Sequence, residues 1–457
     1  MRVSDDLENV GVDPLSYLDL SAPAGSSFGV TNLTLRVNGR EVEIARVNGE
    51  PGAPVRVRFT DPWKPKEHRA IVTEFDLDPE LGGDGAVGAS ADGFYITDPA
   101  AFPAWRPPFG VFVKADLRAH VESLEFALPS DFRVLASGRE KRVHKNASTM
   151  REFQVAPADF PPFAIAGRYQ ESVVAARSGR VIFWTRDPVA PELAQSVAER
   201  LANTVAEYGR LFGPVMGAKS GAASRHSVVR PIYIAETSAV LPPITALVDD
   251  GEAGTAAGFS ALSFPEGALL DQHAFARGID SEPVLELAEY ELAQTWFGWQ
   301  VQVRPDTQPL LRDGIALFAV VEAAGAREGD SGRRREISRL IDSFDQAFRK
   351  TRVRTAPGDE QNAALVPRAA KTPEERATAT RKAALFLVDT SDMIGKRRFE
   401  TALRRVFRDT ADESVDDTDL RSALEDASGR DLAATFREWR SLSDIPGDFR
   451  ARYRSQP

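Results

Sequence analysis

From Phe28 to about Tyr169, apolar and polar residues alternate in short runs, the period of strands that pack on one face. The run Leu33 to Val47 (LTLRVNGREVEIARV) shows this most clearly, and its Asn38-Gly39 pair predicts a tight hairpin. Both central residues of such a turn take positive φ, which Asn and Gly tolerate. The pattern returns from Gly110 to Gly138, and VAPADFPPFAIAGRY leads out of the region. Residues 1–170 are therefore expected to form an antiparallel β-sandwich or saddle-shaped domain.

Beyond it the period changes. After a strand at Val181 to Thr185, Leu193, Val197, Leu201, Val205 and Tyr208 fall on one helical stripe between Pro191 and Phe212, and Gly213 stops the helix. Strand-like Val228 to Glu236 and Gly258 to Phe264 precede a helix starting near Pro283, and nearly everything after it is helical. Thr372-Pro373-Glu374-Glu375 predicts a capped helix start, with Thr355 to Lys371 as the loop before it. The expected fold class is α+β and multidomain. Residues 171–457 form its second domain, mixed α/β to about 280 and mainly helical after.

Composition narrows what such a chain can do. With 457 residues and 42% hydrophobic content it can bury a large core. A net charge of -10 opposes general affinity for nucleic acid or anionic membranes. The basic cluster Arg333, Arg334, Arg335, Arg339, Arg349, Lys350, Arg352 and Arg354 is interleaved with Glu336, Asp342 and Asp345, the pattern of a solvated helix face. There is no cysteine, so disulfides and thiolate chemistry are excluded. The N-terminus lacks an apolar signal core and no stretch has the length of a membrane span, which points to a cytoplasmic protein or one with a trimmed signal. Compartment and oligomeric state are left open.

The most informative segment is LAEYELAQTWFGWQVQVRPDTQPLLRDGIALF, from Leu287 to Phe318. It resembles the signature of the aminopeptidase N family of zinc metallopeptidases, the gluzincins. There, His-Glu-x-x-His is followed by a Glu after eighteen residues; the two His and distal Glu hold zinc, and the internal Glu is the general base. Tyr290, Glu291, Gln294 and Asp313 stand at the matching positions, with eighteen residues between the last two. Trp296-Phe297-Gly298 and Leu311-x-Asp313-Gly314-x-Ala316 also match. The resemblance implies a thermolysin-like second domain, and the substitutions imply a degenerate member. A phenol and a carboxamide are poor zinc donors beside neutral imidazole, and Asp313 reaches one methylene less far than Glu.

Two further segments extend the likeness, which runs from about Gly93 to Trp439. Gly254 to Glu266 resembles the family's Gly-x-Met-Glu-Asn loop and edge strand, with Ala257 at the Glu that anchors the substrate amine. Gly258, Phe259, Ser260 and Ala261 would then be an edge to which an extended peptide can add. Thr380 to Val388 (TRKAALFLV) resembles the Tyr-x-Lys-Gly-Ala helix, with Thr380 at the Tyr that stabilises the oxyanion. The expectation is a pseudo-aminopeptidase that uses no zinc or other cofactor and binds a peptide or protein partner. The alternative is a hydrolase with altered metal ligands, or a metal-free acid/base site built on Glu291, Asp313 and Tyr290.

Plainer readings stand beside these. Glu291 persists if it pairs with a neighbour, for which Tyr290, Thr380, Arg304 and Arg312 are candidates. Asp313 lies on an apolar helix and must find a partner. Trp296, Phe297 and Trp299 read as packing aromatics, as do Tyr95, Trp105 and Phe109. Ser224 and His226 read as loop residues, lacking any third member of a triad.

Overall fold

The structure is a computed structural model of the 457-residue chain. It describes residues 2–22, 29–46, 54–78, 87–97, 102, 104–106, 117–145, 149–155, 162–214, 231–239, 241, 260–301, 303, 307–354, 373–409, 415–441 and 444–454. The chain divides into two compact units, one built on Met1–Tyr169 and the other on most of Gln170–Pro457.

The first unit is antiparallel β structure throughout its described part. A seven-stranded sheet runs in the order Arg139–Lys145, Thr149–Gln154, Leu117–Leu128, Arg2–Asn9, His68–Asp78, Gly29–Val37, Arg40–Glu41, and two four-stranded sheets accompany it. The Asn38-Gly39 hairpin is present, with φ of 48° and 79°, and joins Gly29–Val37 to Arg40–Glu41. Arg2–Asn9 is a central strand that the alternation pattern did not predict. Its inward face carries Val3, Asp5, Leu7 and Asn9, all buried, so half of the expected apolar signal is replaced by polar groups. Those groups are satisfied within the fold. Asp5 accepts the Trp105 indole N–H at 2.9 Å, and Asn9 donates to the Trp63 carbonyl at 2.9 Å. Tyr95 is fully buried, Trp105 is half-buried, and Phe109 lies outside the described residues.

The second unit opens on a five-stranded sheet in the order Gln170–Ala176, Gly179–Thr185, Ile232–Thr237, Gly267–Asp271, Ala261–Phe264. Ala261–Phe264 is its edge among the described residues. Helices follow as α1 (Pro191–Phe212), α2 (Gln272–Arg277), α3 (Glu282–Ala293), α4 (Ile315–Arg354), α5 (Pro373–Ile394), α6 (Lys396–Asp409), α7 (Asp417–Ser428), α8 (Ala433–Ser441) and α9 (Gly447–Arg454). The α1 stripe is buried at Val197, Leu201 and Tyr208, while Leu193 and Val205 are partly covered. A π-helical turn, Pro309–Gly314, leads into α4, and Gly329 (φ 71°) breaks α4 midway. None of the helices is long and apolar enough to cross a membrane, among the described residues. The Thr372 cap and the loop 355–371 lie outside them, as do Ser224 and His226.

Helix α3 is buried on every side, since all residues from Val284 to Ala293 are below the surface. It nevertheless carries Glu286, Glu289 and Glu291, and buried carboxylates need partners or protons. Glu289, fully buried, is the hub. Its Oε1 accepts from Arg200 Nε of α1, Arg327 Nη1 of α4 and Thr204 Oγ1 of α1, each at 2.9 Å. The Tyr208 hydroxyl donates to the Glu289 carbonyl at 3.1 Å, so one residue ties three helices together. Arg339 reaches Glu286 at 2.6 Å, and burial still pushes the Glu286 carboxyl up to about 7 against that pull.

The basic run after Gly329 is thus less solvated than its spacing implies. Arg333 pairs with the buried Glu322 at 2.7 Å, and Arg335 bridges Glu328 and Glu336.

Glu289→Ala, which strands Arg327 and the inner face of Arg200, is expected to cost about 3–5 kcal/mol in urea unfolding. Glu282→Ala removes the half-exposed partner of Arg200, which also lies 4.0 Å from Arg327, and is expected to cost under about 1 kcal/mol. Equal losses for the two would show that Glu289 is not the hub.

Candidate functional site

The C-terminal part of α3, the turn that ends it, the edge strand and the π-helical turn meet around one small group of side chains. Pro at the start of α3 and burial of every residue from Val284 to Ala293 set that helix, while Gln294 caps its end in helical geometry. The chain then turns through Trp296-Phe297-Gly298, where Gly298 takes φ 140°. A Cβ at Gly298 would lie 3.1 Å from Arg312 Cδ, so the glycine makes room for the Arg312 stem. Gly314 performs a similar service at the next contact, because a Cβ there would fall 2.8 Å from Ala383 Cβ on α5. The π-helical turn is short and wide, a local form that recurs at functional sites.

Tyr290, Glu291, Gln294 and Asp313 are all buried, at 3%, 3%, 7% and 5% exposure. The structure brings them together, but each is committed to a protein partner. Arg312 Nε donates to Asp313 Oδ1 at 2.8 Å. The Tyr290 phenol hydrogen-bonds to the Asp313 carboxylate, and burial first, then the charges of Asp313 and Glu291, drives the phenol well above its ordinary range. The Asp313 charge, opposing the cost of burial, keeps Arg312 firmly protonated.

Glu291 faces the edge strand. It hydrogen-bonds to the backbone N–H and hydroxyl of Ser263. Burial pushes its carboxyl up to about 8; the Arg312 charge opposes that and the Asp313 charge adds to it. The Ser263 hydroxyl also reaches Gln294 Oε1 at 3.2 Å and receives the Trp299 indole N–H at 3.1 Å. A serine hydroxyl has one proton for these two acceptors. A protonated Glu291 resolves the shortage, since it donates to Ser263 Oγ while Ser263 donates to Gln294.

Thr380 sits on α5, 1% exposed, and its Oγ1 has no hydrogen-bond partner among the described residues. It makes no bond to Glu291. Lys382, two residues on, is also buried, and burial lowers its ammonium to about 8. Ala257, Gly258, Phe259 and Arg304 lie outside the described residues; Ser260 and Ala261 begin the edge strand, and Asp271 Oδ2 accepts the Ser260 N–H. Of the neighbours considered for Glu291, Arg312 and Tyr290 are the ones at hand among the described residues. Ser263, its direct hydrogen-bond partner, carries no sequence signal beyond its place in the edge-strand segment. Trp296, Phe297 and Trp299 pack in the core, with Trp296 donating to the Gly213 carbonyl at 2.9 Å.

This donor set does not fit zinc. A tetrahedral ion needs available lone pairs from imidazole, thiolate or carboxylate. Here the phenol and a guanidinium both lie on Asp313, and the carboxamide oxygen takes up the Ser263 hydroxyl. No three His, Cys, Asp or Glu side chains converge elsewhere among the described residues.

A β-sheet unit and an α/β and helical unit together define a protein of the two-domain metallopeptidase-like fold. Residues 245–439 match the Peptidase family M1 domain. Among solved structures, the M1 zinc metallopeptidase from Deinococcus radiodurans is similar at 18% identity and a TM-score of 0.62, over 97% of this chain and 89% of that one. Its E323A mutant bound to a Tyr-Ser-Ala substrate gives 18%, 0.61, 97% and 91%. Legionella pneumophila aminopeptidase A in complex with aspartic acid gives 16% and 0.59, over 94% of this chain but 45% of that one. At such identities the structural likeness speaks for the fold. No curated protein matches the chain.

The raised Glu291 value gives a pH signature. In the unfolded chain the carboxyl loses its proton near 4.5, and in the folded protein near 8. The folded state then binds the proton more tightly, so this contribution is complete below about 4.5 and is lost as pH rises through about 8. Relative to Glu291→Gln, the wild-type protein is expected to lose about 1.4 kcal/mol per pH unit across that window. Urea unfolding of both proteins from pH 4.5 to 8.5 checks it, and a pH-independent difference would contradict it.

Proposed function

We propose that this protein is a catalytically inactive, peptidase-like pseudo-aminopeptidase that binds an extended peptide or protein segment without zinc-dependent hydrolysis. The observation that carries the reading is the commitment of the motif side chains to one another and to Arg312 and Ser263, where a zinc peptidase needs free donors. Loss of the amine-anchoring Glu at Ala257 and of the oxyanion Tyr at Thr380 agrees with it. Each of these steps of an aminopeptidase reaction would lack its group. What the fold retains is shape, including the sheet edge at Ala261–Phe264, whose outward backbone groups are the kind that pair with an added strand.

A second reading draws on one observation, the Glu291 carboxyl held protonated near neutral pH. A group of that kind can serve as a general acid or base, and with Asp313 and Tyr290 it would make a metal-free site. The same residues could instead take a harder ion through oxygen donors, which melting shifts across several divalent ions would reveal.

Protein purified without chelator is expected to carry no stoichiometric zinc and to leave aminoacyl reporter substrates uncut. Metal analysis and a turnover assay on the same sample check both. Zinc at about one per chain, with turnover abolished by Glu291→Gln, would refute the pseudo-peptidase reading. Metal-independent turnover sensitive to Glu291→Gln would move the assignment to the second reading.

A further inference from the structure

We propose that Arg312 is an internal cation: its guanidinium supplies, from within the chain, the positive charge that a metal ion supplies in a zinc peptidase of this fold, and so keeps an ion out. This rests on the pseudo-peptidase reading and gives it a cause. Replacing two histidines explains weak metal binding, but it does not explain how a buried carboxylate beside a second carboxyl stays folded with no cation present.

The geometry answers that. Asp313 is 5% exposed and sits at the position of the third metal ligand, and Arg312 Nε lies 2.8 Å from its Oδ1. Neighbouring residues on an ordinary α-helix point about 100° apart. The π-helical turn Pro309–Gly314 holds more residues per turn, so adjacent side chains diverge less and Arg312 folds back over Asp313. The absent side chain at Gly298 leaves the corridor for its stem, with Arg312 Cγ and Cδ at 3.2 and 3.1 Å from where a Cβ would stand.

Charge then balances without an ion. One buried-edge guanidinium, Arg312, neutralises one carboxylate, Asp313, at hydrogen-bonding distance. Arg312 keeps 32% of its side chain exposed, so its outer face still meets water while its inner edge serves the buried acid.

The test restores the donors and then removes the guanidinium. The variant Tyr290→His/Gln294→His/Asp313→Glu, loaded with zinc and dialysed, is expected to retain far less than one zinc per chain while Arg312 is present. Adding Arg312→Asn is expected to raise retention to about one per chain. Stoichiometric zinc in the first variant overturns the proposal, and so does a quadruple variant with native far-UV circular dichroism that takes up none. Zinc in the unmutated protein would instead sink the pseudo-peptidase reading, a separate result.

If a graft does not fold, the cycle of Arg312→Gln, Asp313→Asn and their combination decides. The melting temperature of the combination is expected closer to wild type than that of Arg312→Gln, because no uncompensated buried charge remains. Falls in melting temperature that simply add would overturn the internal-cation role.

Discussion

A helix buried on every face from Val284 to Ala293, with three carboxylates in that stretch, is the constraint from which the second unit follows. An uncompensated charge in such a place costs several kcal/mol, so α3 can stay buried only if its surroundings supply cations, donors or protons. The three acids meet that demand in three ways. Glu289 draws arginines from α1 and α4 onto one oxygen. Glu286 has Arg339 and remains partly protonated near neutral pH. Glu291 accepts the Ser263 N–H, shares a hydrogen bond with the Ser263 hydroxyl and has a raised affinity for its proton. The elements that surround α3 are held there by the answers to its charge.

The same constraint acts on the segment that carries Tyr290, Glu291, Gln294 and Asp313. A Cβ at Gly314 would collide with Ala383 of α5, and one at Gly298 would crowd the Arg312 stem, so the first glycine serves the helix approach and the second serves the side chain at the centre. Within that segment, a chain lacking imidazoles must still balance the acids. It does so with a phenol and a guanidinium on Asp313, while the Gln294 carboxamide takes the hydroxyl of Ser263, the residue that also meets Glu291. In an enzyme some of these groups would be held unsatisfied for the substrate.

Much of this architecture was legible in the sequence because local periodicity and tertiary demand agreed. The 3.6-residue stripe of α1 ends at Gly213 as its punctuation indicates, and Asn38-Gly39 makes its hairpin because those residues tolerate positive φ. The strand Arg2–Asn9 escaped because Asp5 and Asn9 point inward, satisfied by Trp105 and Trp63 from distant segments. Motif spacing brought Tyr290, Glu291, Gln294 and Asp313 to attention, but spacing does not record which partner each takes. Ser263 and Arg312 owe their roles to side-chain direction, and Glu289 to the coincidence of two arginines from other helices. The π-helical turn has no local signature either, since its six residues read as an ordinary helix start after Pro309.

The edge strand shows how far these commitments reach. An antiparallel edge exposes N–H and C=O groups at alternate residues, and those are what an added strand bonds to. At Ser263 the N–H already meets the Glu291 carboxyl, so at this residue a bound peptide carbonyl and Glu291 compete for one donor. In the pseudo-peptidase reading, Glu291 thus occupies a donor of the strand proposed to receive the peptide. A partner lying along Ala261–Phe264 must therefore either begin its pairing away from Ser263 or release Glu291 towards Gln294 and Trp299, which share the Ser263 hydroxyl. Because a protonated Glu291 gives up that backbone N–H at less cost than a carboxylate does, the buried charge balance around α3 also sets how readily the edge opens to a ligand.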